Sequence, residues 1–411
     1  MIGCYFLYNL ITFDVPQNRV TWCCKQTEGN TLQSYNPNEY YNDPVLTDIR
    51  ESLKQDIKHK NCGECWDSEA KGIRSWRQTE EGIIPSYITN IDDFKKQVTR
   101  LEIKLDNTCD LACIYCGPWD STTWQRENKK HKFYKYNKTD SNIEFHQKIL
   151  DTIATIAKHN NILELGFVGG EPLLSKHIKD GNFKKFVDAF YKNSSNDALL
   201  TLKFVSNANT PKKILSKTLK VLQQTKQEYP TLQINIALSL ESTGKYTEFS
   251  RYLSDWGLVD SNIQTWLSYK WINVSINTAF NALTLVDIPN YVQYLKDIYT
   301  KHDRLISISP NIVYWPEGLT PGVLPKSFKH YIDDALGILS TMQHMFVDDP
   351  DSGYDRFVET LNNMSNSLGA GNVVDLLRYI NYIEQIRKID ASALIPEVTE
   401  YARKQSTLLS E

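Results

Sequence analysis

Cys109, Cys113 and Cys116 fall within eight residues of one another in "KLDNTCDLACIYCGPW", Lys104 to Trp119, spaced as Cys, three residues, Cys, two residues, Cys. The 411-residue chain has only eight cysteines, so placing three of them here concentrates a scarce residue. Three thiols so close cannot all pair with one another as disulfides. Directly after "RLEIKL", which reads as a buried strand, they suit a four-iron four-sulfur cluster in which three irons are protein-bound and the fourth is open. The same thiolates also suit a zinc ion with a remote fourth ligand. An open iron can chelate a small molecule through an amino and a carboxylate group.

The other five cysteines, Cys4, Cys23, Cys24, Cys62 and Cys65, precede this loop. Cys62 and Cys65, in "NCGECW", have metal-ligand spacing, and "QNRV" reads as a turn between two strands that brings Cys4 and Cys23 together. One site of four thiolates follows, from Cys4, Cys23, Cys62 and Cys65, with Cys24 as a substitute for Cys23. A zinc ribbon and an iron-sulfur cluster both use such a donor set.

The elements that must position these groups are six short β-rich runs alternating with segments of helical period. The runs are Arg100–Leu105, Ile162–Val168, Leu199–Val205, Leu232–Leu240, Trp271–Thr278 and Ile306–Tyr314. Between them, "NIEFHQKILDTIATIAKH" places Ile149, Ile153 and Ile156 on one helical face, and "PKKILSKTLKVLQQTKQEY" opens with proline at a helix start. Six such units predict a parallel sheet with right-handed crossovers, open or rolled into an incomplete barrel, with chemistry at the carboxyl ends of the strands. Those ends carry the cysteine loop, "GGEP" (Gly169 to Pro172), "SNAN" (Ser206 to Asn209) and "SLES" (Ser239 to Ser242). The reading divides the chain into residues 1–95, a partial barrel over 96–324 and a helical segment over 325–411.

Composition narrows the remaining classes. A formal net charge of −3 gives no global field for nucleic acid or anionic membrane, and neither is expected as a partner. The apolar start "MIGCYFLYNLITFDV" lacks a basic n-region and a cleavage site, and no stretch reaches the roughly 18 apolar residues of a membrane span. A cytoplasmic location, where clustered thiols bind metal, is the expectation. "ENKKHKFYKYNK", Glu127 to Lys138, is read as a solvated basic face, although its aromatics could stack on a base. "DDPDSGYDRFVE", Asp348 to Glu359, has Pro350 where a calcium loop needs a ligand and is read as an acidic turn. His131, His146, His159 and His177 are expected on exposed or helix-face positions.

At Cys109, Cys113 and Cys116, with Tyr115 just before the last cysteine, the chain resembles the radical S-adenosylmethionine (radical SAM) family. In that family a segment similar to Gly169-Gly170-Glu171-Pro172 binds the methionine amino group of SAM. Ser206 and Asn207 resemble a strand-end Thr-Asn-Gly segment near the ribose and carboxylate, with Ser206 for Thr and Ala208 for Gly. Ser239, Glu241 and Arg251 resemble polar SAM contacts at the fourth strand. The segment with Cys4, "WCCK", Gly29-Asn30 and "CGECWDSEAKGIRSWR" resembles the twitch half of SPASM-type auxiliary-cluster domains, as in a group of radical SAM proteins many of which are virally encoded.

The resemblance implies an α/β fold, an incomplete (β/α)6 barrel of radical SAM type with a twitch-like auxiliary iron-sulfur domain at residues 1–95. It implies a SAM-binding 4Fe-4S cluster on Cys109, Cys113 and Cys116, S-adenosylmethionine itself, and a second auxiliary 4Fe-4S cluster, with zinc as the alternative. The implied reaction is reductive cleavage of SAM to a 5′-deoxyadenosyl radical that abstracts hydrogen from a substrate, oxidising or cross-linking a peptide. Dehydrogenation of a small sugar-like molecule and a non-enzymatic metal-stapled binding module are the alternatives. An electron donor such as flavodoxin or ferredoxin is the implied partner, in a host cytoplasm if the chain is viral. Substrate, catalytic acid or base and oligomeric state are not written in these motifs.

Overall fold

The computed structural model describes residues 3–23, 39, 42–70, 74–79, 98–136 and 144–408. Among the described residues there are eight strands: β1 (Leu10–Asp14), β2 (Arg19–Thr21), β3 (Arg100–Lys104), β4 (Ile162–Phe167), β5 (Leu199–Ser206), β6 (Gln233–Ser239), β7 (Asn273–Asn277) and β8 (Ile308–Ser309). They form an eight-stranded, mostly parallel sheet in the order β2-β1-β3-β4-β5-β6-β7-β8. The six expected strands are β3 to β8. The sheet holds two more, because β1 is hydrogen-bonded in parallel along its length to β3, from Leu10 opposite Arg100 to Asp14 opposite Lys104. The hairpin read at "QNRV" is there: β1 and β2 pair antiparallel, with Asn18 in the left-handed region between them. The last strand is shorter than expected. Pro310 has no N–H for a ladder, so pairing beyond Ser309 is reduced to an isolated bridge, Phe280 to Ile312.

By contact density the chain forms two compact units. One comprises Met1–Cys109, Tyr136–Val205 and Lys212–Asn235, the other Asp110–Lys135, Ser206–Pro211 and Ile236–Glu411. In the first, β5 alternates in burial along its whole length, the period of two expected of a strand with one face in the core. Its buried Phe204 stacks on Phe167 of β4, ring centroids 5.4 Å apart. The helix Glu144–Ala157 buries Ile149, Ile153 and Ile156, the face the sequence spacing marks. The helix Lys212–Glu228 buries Leu215, Leu219 and Leu222 in the same way. Each aliphatic side chain so buried contributes about 1.5–3 kcal/mol from loss of hydrated surface.

The second unit carries β7 and β8, the helices Gly244–Ser250, Trp256–Ser268 and Ile288–His302, and a further helical segment. That segment is built of Lys329–Ser340, Tyr354–Ser367, Val373–Arg387 and Pro396–Leu408 with shorter turns between. Among the described residues no helix is long and apolar enough to cross a membrane.

Candidate functional site

β3 leaves the sheet at Lys104, and the cysteine loop begins. Asp106 fixes its first turn: one carboxylate oxygen accepts the Thr108 N–H at 2.9 Å, the other the Ser175 hydroxyl at 2.6 Å. The next strand end then packs on the loop. Gly170 sits at φ +56°, and a Cβ there would lie 2.4 Å from the Thr108 carbonyl oxygen. The Glu171 N–H donates to that same carbonyl at 2.7 Å. Gly169, at φ +76°, leaves room for the Lys104 side chain, 2.4 Å from where its Cβ would stand. Positive φ and close approach together require glycine at both positions, and what approaches Gly170 is the cysteine loop. Glu171 is fully buried and caps the single turn Pro172–Leu174, its carboxylate accepting the Leu173 N–H at 3.1 Å.

In the second unit the rest of the loop is held from several directions. The N–H groups of Ala112 and Ile114 donate to the carbonyls of Tyr252 and Ser250 at 3.0 and 2.8 Å, so this stretch runs along the end of the helix Gly244–Ser250. Buried Trp124 donates its indole N–H to the Cys113 carbonyl at 2.8 Å, and Tyr379, from the helix Val373–Arg387, donates its hydroxyl to the Ile114 carbonyl. Loss of hydration pushes the Cys113 thiol up to about 11, with Arg251 acting in the opposite direction.

Three residues assigned to cofactor contact stand together. Tyr115 donates its hydroxyl to Glu241 Oε1 at 2.9 Å, and the Ser250 hydroxyl donates to the same oxygen at 2.8 Å. Arg251 donates to Oε2 through Nε at 3.1 Å and Nη2 at 2.5 Å, and its guanidinium lies 5.6 Å from the centre of the Tyr115 ring. Both carboxylate oxygens are engaged, and the ion pair is buried, so it is not the exposed pair whose contribution is small. Ser239 ends β6, half-buried.

Asp110 is a residue of this loop whose contacts the sequence does not reveal. Asn207 and Asn209 donate their side-chain amides to its two oxygens at 2.9 and 2.8 Å, tying the "SNAN" segment to the residue after Cys109. An acidic residue beside the first cysteine, with Asn-X-Asn at a strand end, is the signal that could have found it. Between the two asparagines Ala208 adopts φ +60°, a left-handed conformation that glycine takes at lower cost, and the buried Ser206 hydroxyl accepts its N–H at 3.2 Å.

Near the chain start, Cys4, Cys62 and Cys65 lie close enough to influence one another. Burial, then the neighbouring Cys62 and Cys65, push the Cys4 thiol up to about 12. Burial and Cys65 raise Cys62 to about 11, and burial raises Cys65. Trp66, Glu69 and Arg77 frame this group: Arg77 pairs with Glu69, lies 4.5 Å from the Trp66 ring centre and donates to the Gly3 carbonyl at 3.3 Å. Phe6 stacks on Trp76 at 5.2 Å. Cys23 follows β2, half-buried; Cys24, Gly29 and Asn30 lie outside the described residues.

Soft thiolates in sets of three and four are the donor chemistry iron-sulfur clusters and zinc use, so both cysteine sets fit such groups by donor type. Among the described residues, no three His, Cys, Asp or Glu side chains stand at metal-holding distance. His146 lies on the helix Glu144–Ala157 and is stacked on His177, ring centroids 4.0 Å apart, both half-buried. The Asp348–Glu359 stretch forms an acidic turn, Asp349 accepting the N–H groups of Asp351 and Ser352 at 2.8 Å each before the helix Tyr354–Ser367.

No family model and no curated protein matches the chain. Among the solved structures that resemble it in part are two forms of one protein. Hexahistidine-tagged anSMEcpe with bound AdoMet is similar at a TM-score of 0.41 and 15% identity, over 61% of this chain and 62% of that one. Native anSMEcpe with bound AdoMet and Cp18Cys peptide is similar at 0.38 and 15%, over 59% and 60%. The chain thus spans less than two thirds of the structures it matches, and the functional reading rests on its own residues.

Proposed function

We propose that the chain is a radical SAM enzyme that removes hydrogen from a peptide substrate, oxidising or cross-linking it. The observation that carries this reading is one juxtaposition: the three-cysteine loop leaves a buried parallel strand, and the Gly-Gly-Glu-Pro of the next strand packs its backbone onto that loop at Thr108. Cys109, Cys113 and Cys116 are the proposed ligands of a 4Fe-4S cluster. When bound, that cluster supplies the electron that cleaves SAM into methionine and a 5′-deoxyadenosyl radical.

The protein's part is positioning. Gly169, Gly170 and Glu171 are the proposed contacts of the methionine ammonium, and Ser206 and Asn207 those of the ribose and carboxylate. Glu241 and Arg251 act through Tyr115, which they anchor in the loop. Cys4, Cys23, Cys62 and Cys65 would hold an auxiliary cluster; with four protein ligands it would have no open iron and would supply an electron acceptor rather than a substrate site. An electron carrier of the flavodoxin or ferredoxin type supplies the first electron.

The test is anaerobic reconstitution with ferrous iron and sulfide, followed by iron and sulfide determination per chain and incubation with SAM and dithionite. The reading expects 5′-deoxyadenosine from the parent chain. It expects none from a chain with Cys109, Cys113 and Cys116 all changed to alanine, which should keep the iron bound near the chain start. Undiminished SAM cleavage by that variant, or none by a fully loaded parent, overturns it.

A further inference from the structure

Charge alone makes Glu127 to Lys138 a solvated face, but the structure adds a set of fixed, outward-facing rings. Phe133 is 39% exposed and Trp315 50%. Behind them the rings are held: Phe133 stacks on Tyr382 at 3.8 Å and meets Tyr134 edge-on at 4.7 Å. Tyr134 lies 5.5 Å from Trp315, and Trp119 braces both, at 5.1 and 5.3 Å. Trp119 is itself folded over Gly117, where a Cβ would meet its ring at 2.4 Å. The exposed rings are therefore immobilised before anything binds, which lowers the entropic cost of stacking on them.

The charges around them are unbalanced. Lys129, Lys130, Lys132 and Lys135 are exposed, and among the described residues none of them is in an ion pair. The acidic residue of the same helix, Glu127, is taken up by Arg387 at 3.1 Å and by Tyr382 at 2.9 Å. A chain of net charge −3 thus carries four exposed lysines between residues 129 and 135, a stretch that also holds the exposed Phe133.

We propose that Phe133 and Trp315, flanked by Lys129, Lys130, Lys132 and Lys135, form a binding surface for single-stranded nucleic acid. Phosphates meet the lysines while successive bases stack on the rings, a combination that duplexes cannot offer because their bases are already stacked. An acidic polypeptide would satisfy the lysines and leave the ring faces unfilled. The surface adjoins the cysteine loop through Trp119, three residues past Cys116, but the inference does not depend on the chemistry of that loop.

The test is fluorescence anisotropy of the full chain with labelled oligouridylate and oligothymidylate of about 12 nucleotides, over a salt series. Trp315→Ala and Phe133→Ala should each weaken binding about tenfold, measured at a temperature where circular dichroism shows both variants folded. Each lysine changed to alanine should reduce the slope of log affinity against log salt by about 0.7. Trp315→Tyr, which keeps a ring, should restore most of the affinity. No binding at low salt, or ring variants that bind like the parent, overturns the proposal. Equal binding of a polyglutamate of the same charge also overturns it, and identifies the strip as a site for an acidic protein.

Discussion

The hydroxyl of Tyr115 donates to Glu241 Oε1 at 2.9 Å, joining residues 126 apart in the chain. Both resemble residues that contact the cofactor, and in the fold they contact each other. With Ser250 and Arg251 on the same carboxylate, Glu241 fastens the cysteine loop to the segment that follows β6. That arrangement makes the region sensitive to changes that never touch a ligand.

Glu241→Gln should therefore destabilise the ligand-free chain. Removing the carboxylate charge leaves Arg251 buried without its counter-ion, and breaking a buried pair costs about 3–5 kcal/mol. The midpoint of denaturant unfolding, followed by circular dichroism, reads the loss. A variant as stable as the parent that has lost only SAM affinity would make Glu241 a ligand contact instead.

Gly170→Ala and Gly244→Ala form a matched pair. Both glycines have positive φ, +56° and +52°, so alanine costs each about 1–2 kcal/mol of backbone strain. Only at Gly170 does the new Cβ also meet backbone, at the Thr108 oxygen; at Gly244 nothing lies within 4 Å. Iron incorporated per chain on reconstitution should fall sharply in Gly170→Ala and remain at the parent level in Gly244→Ala. Equal iron content in the two would detach the Gly-Gly segment from the cysteine loop.

Glu171→Gln separates the two uses of a buried carboxylate. The amide oxygen can still accept the Leu173 N–H, so the cap should persist and stability should change little. If the charge serves the SAM ammonium, affinity should fall by about 1.5–3 kcal/mol, the range for a charge-assisted hydrogen bond. Equilibrium dialysis against SAM measures it, and affinity within a factor of about two of the parent, well under 1 kcal/mol, would make Glu171 a structural carboxylate.

Cys62→Ala with Cys65→Ala tests the thiol group near the chain start. The variant should lose one cluster's worth of iron, still form 5′-deoxyadenosine, and fail to release oxidised product from a peptide that the parent converts. A folded variant that releases product at the parent rate reduces the site to a structural staple.

Local pattern is enough to read β3 to β7 and the buried faces of the helices between them, because alternation of burial every two or 3.6 residues is imposed by backbone geometry within one element. The cysteine spacing and the Gly-Gly-Glu-Pro segment are equally legible, since each lies within a few consecutive residues. The place of β1 beside β3 is not: some 85 residues separate the two strands, and nothing in either segment states which edge of the sheet the first one takes. Nor can spacing distinguish a carboxylate reserved for a ligand from one already engaged by the protein. Half-buried Asp110 is engaged by Asn207 and Asn209, and Glu241 by Tyr115, Ser250 and Arg251 in a dehydrated space, only because the chain's path brings those donors there. There a polar group left without a partner carries its full desolvation penalty, and only tertiary packing decides which partner is in reach.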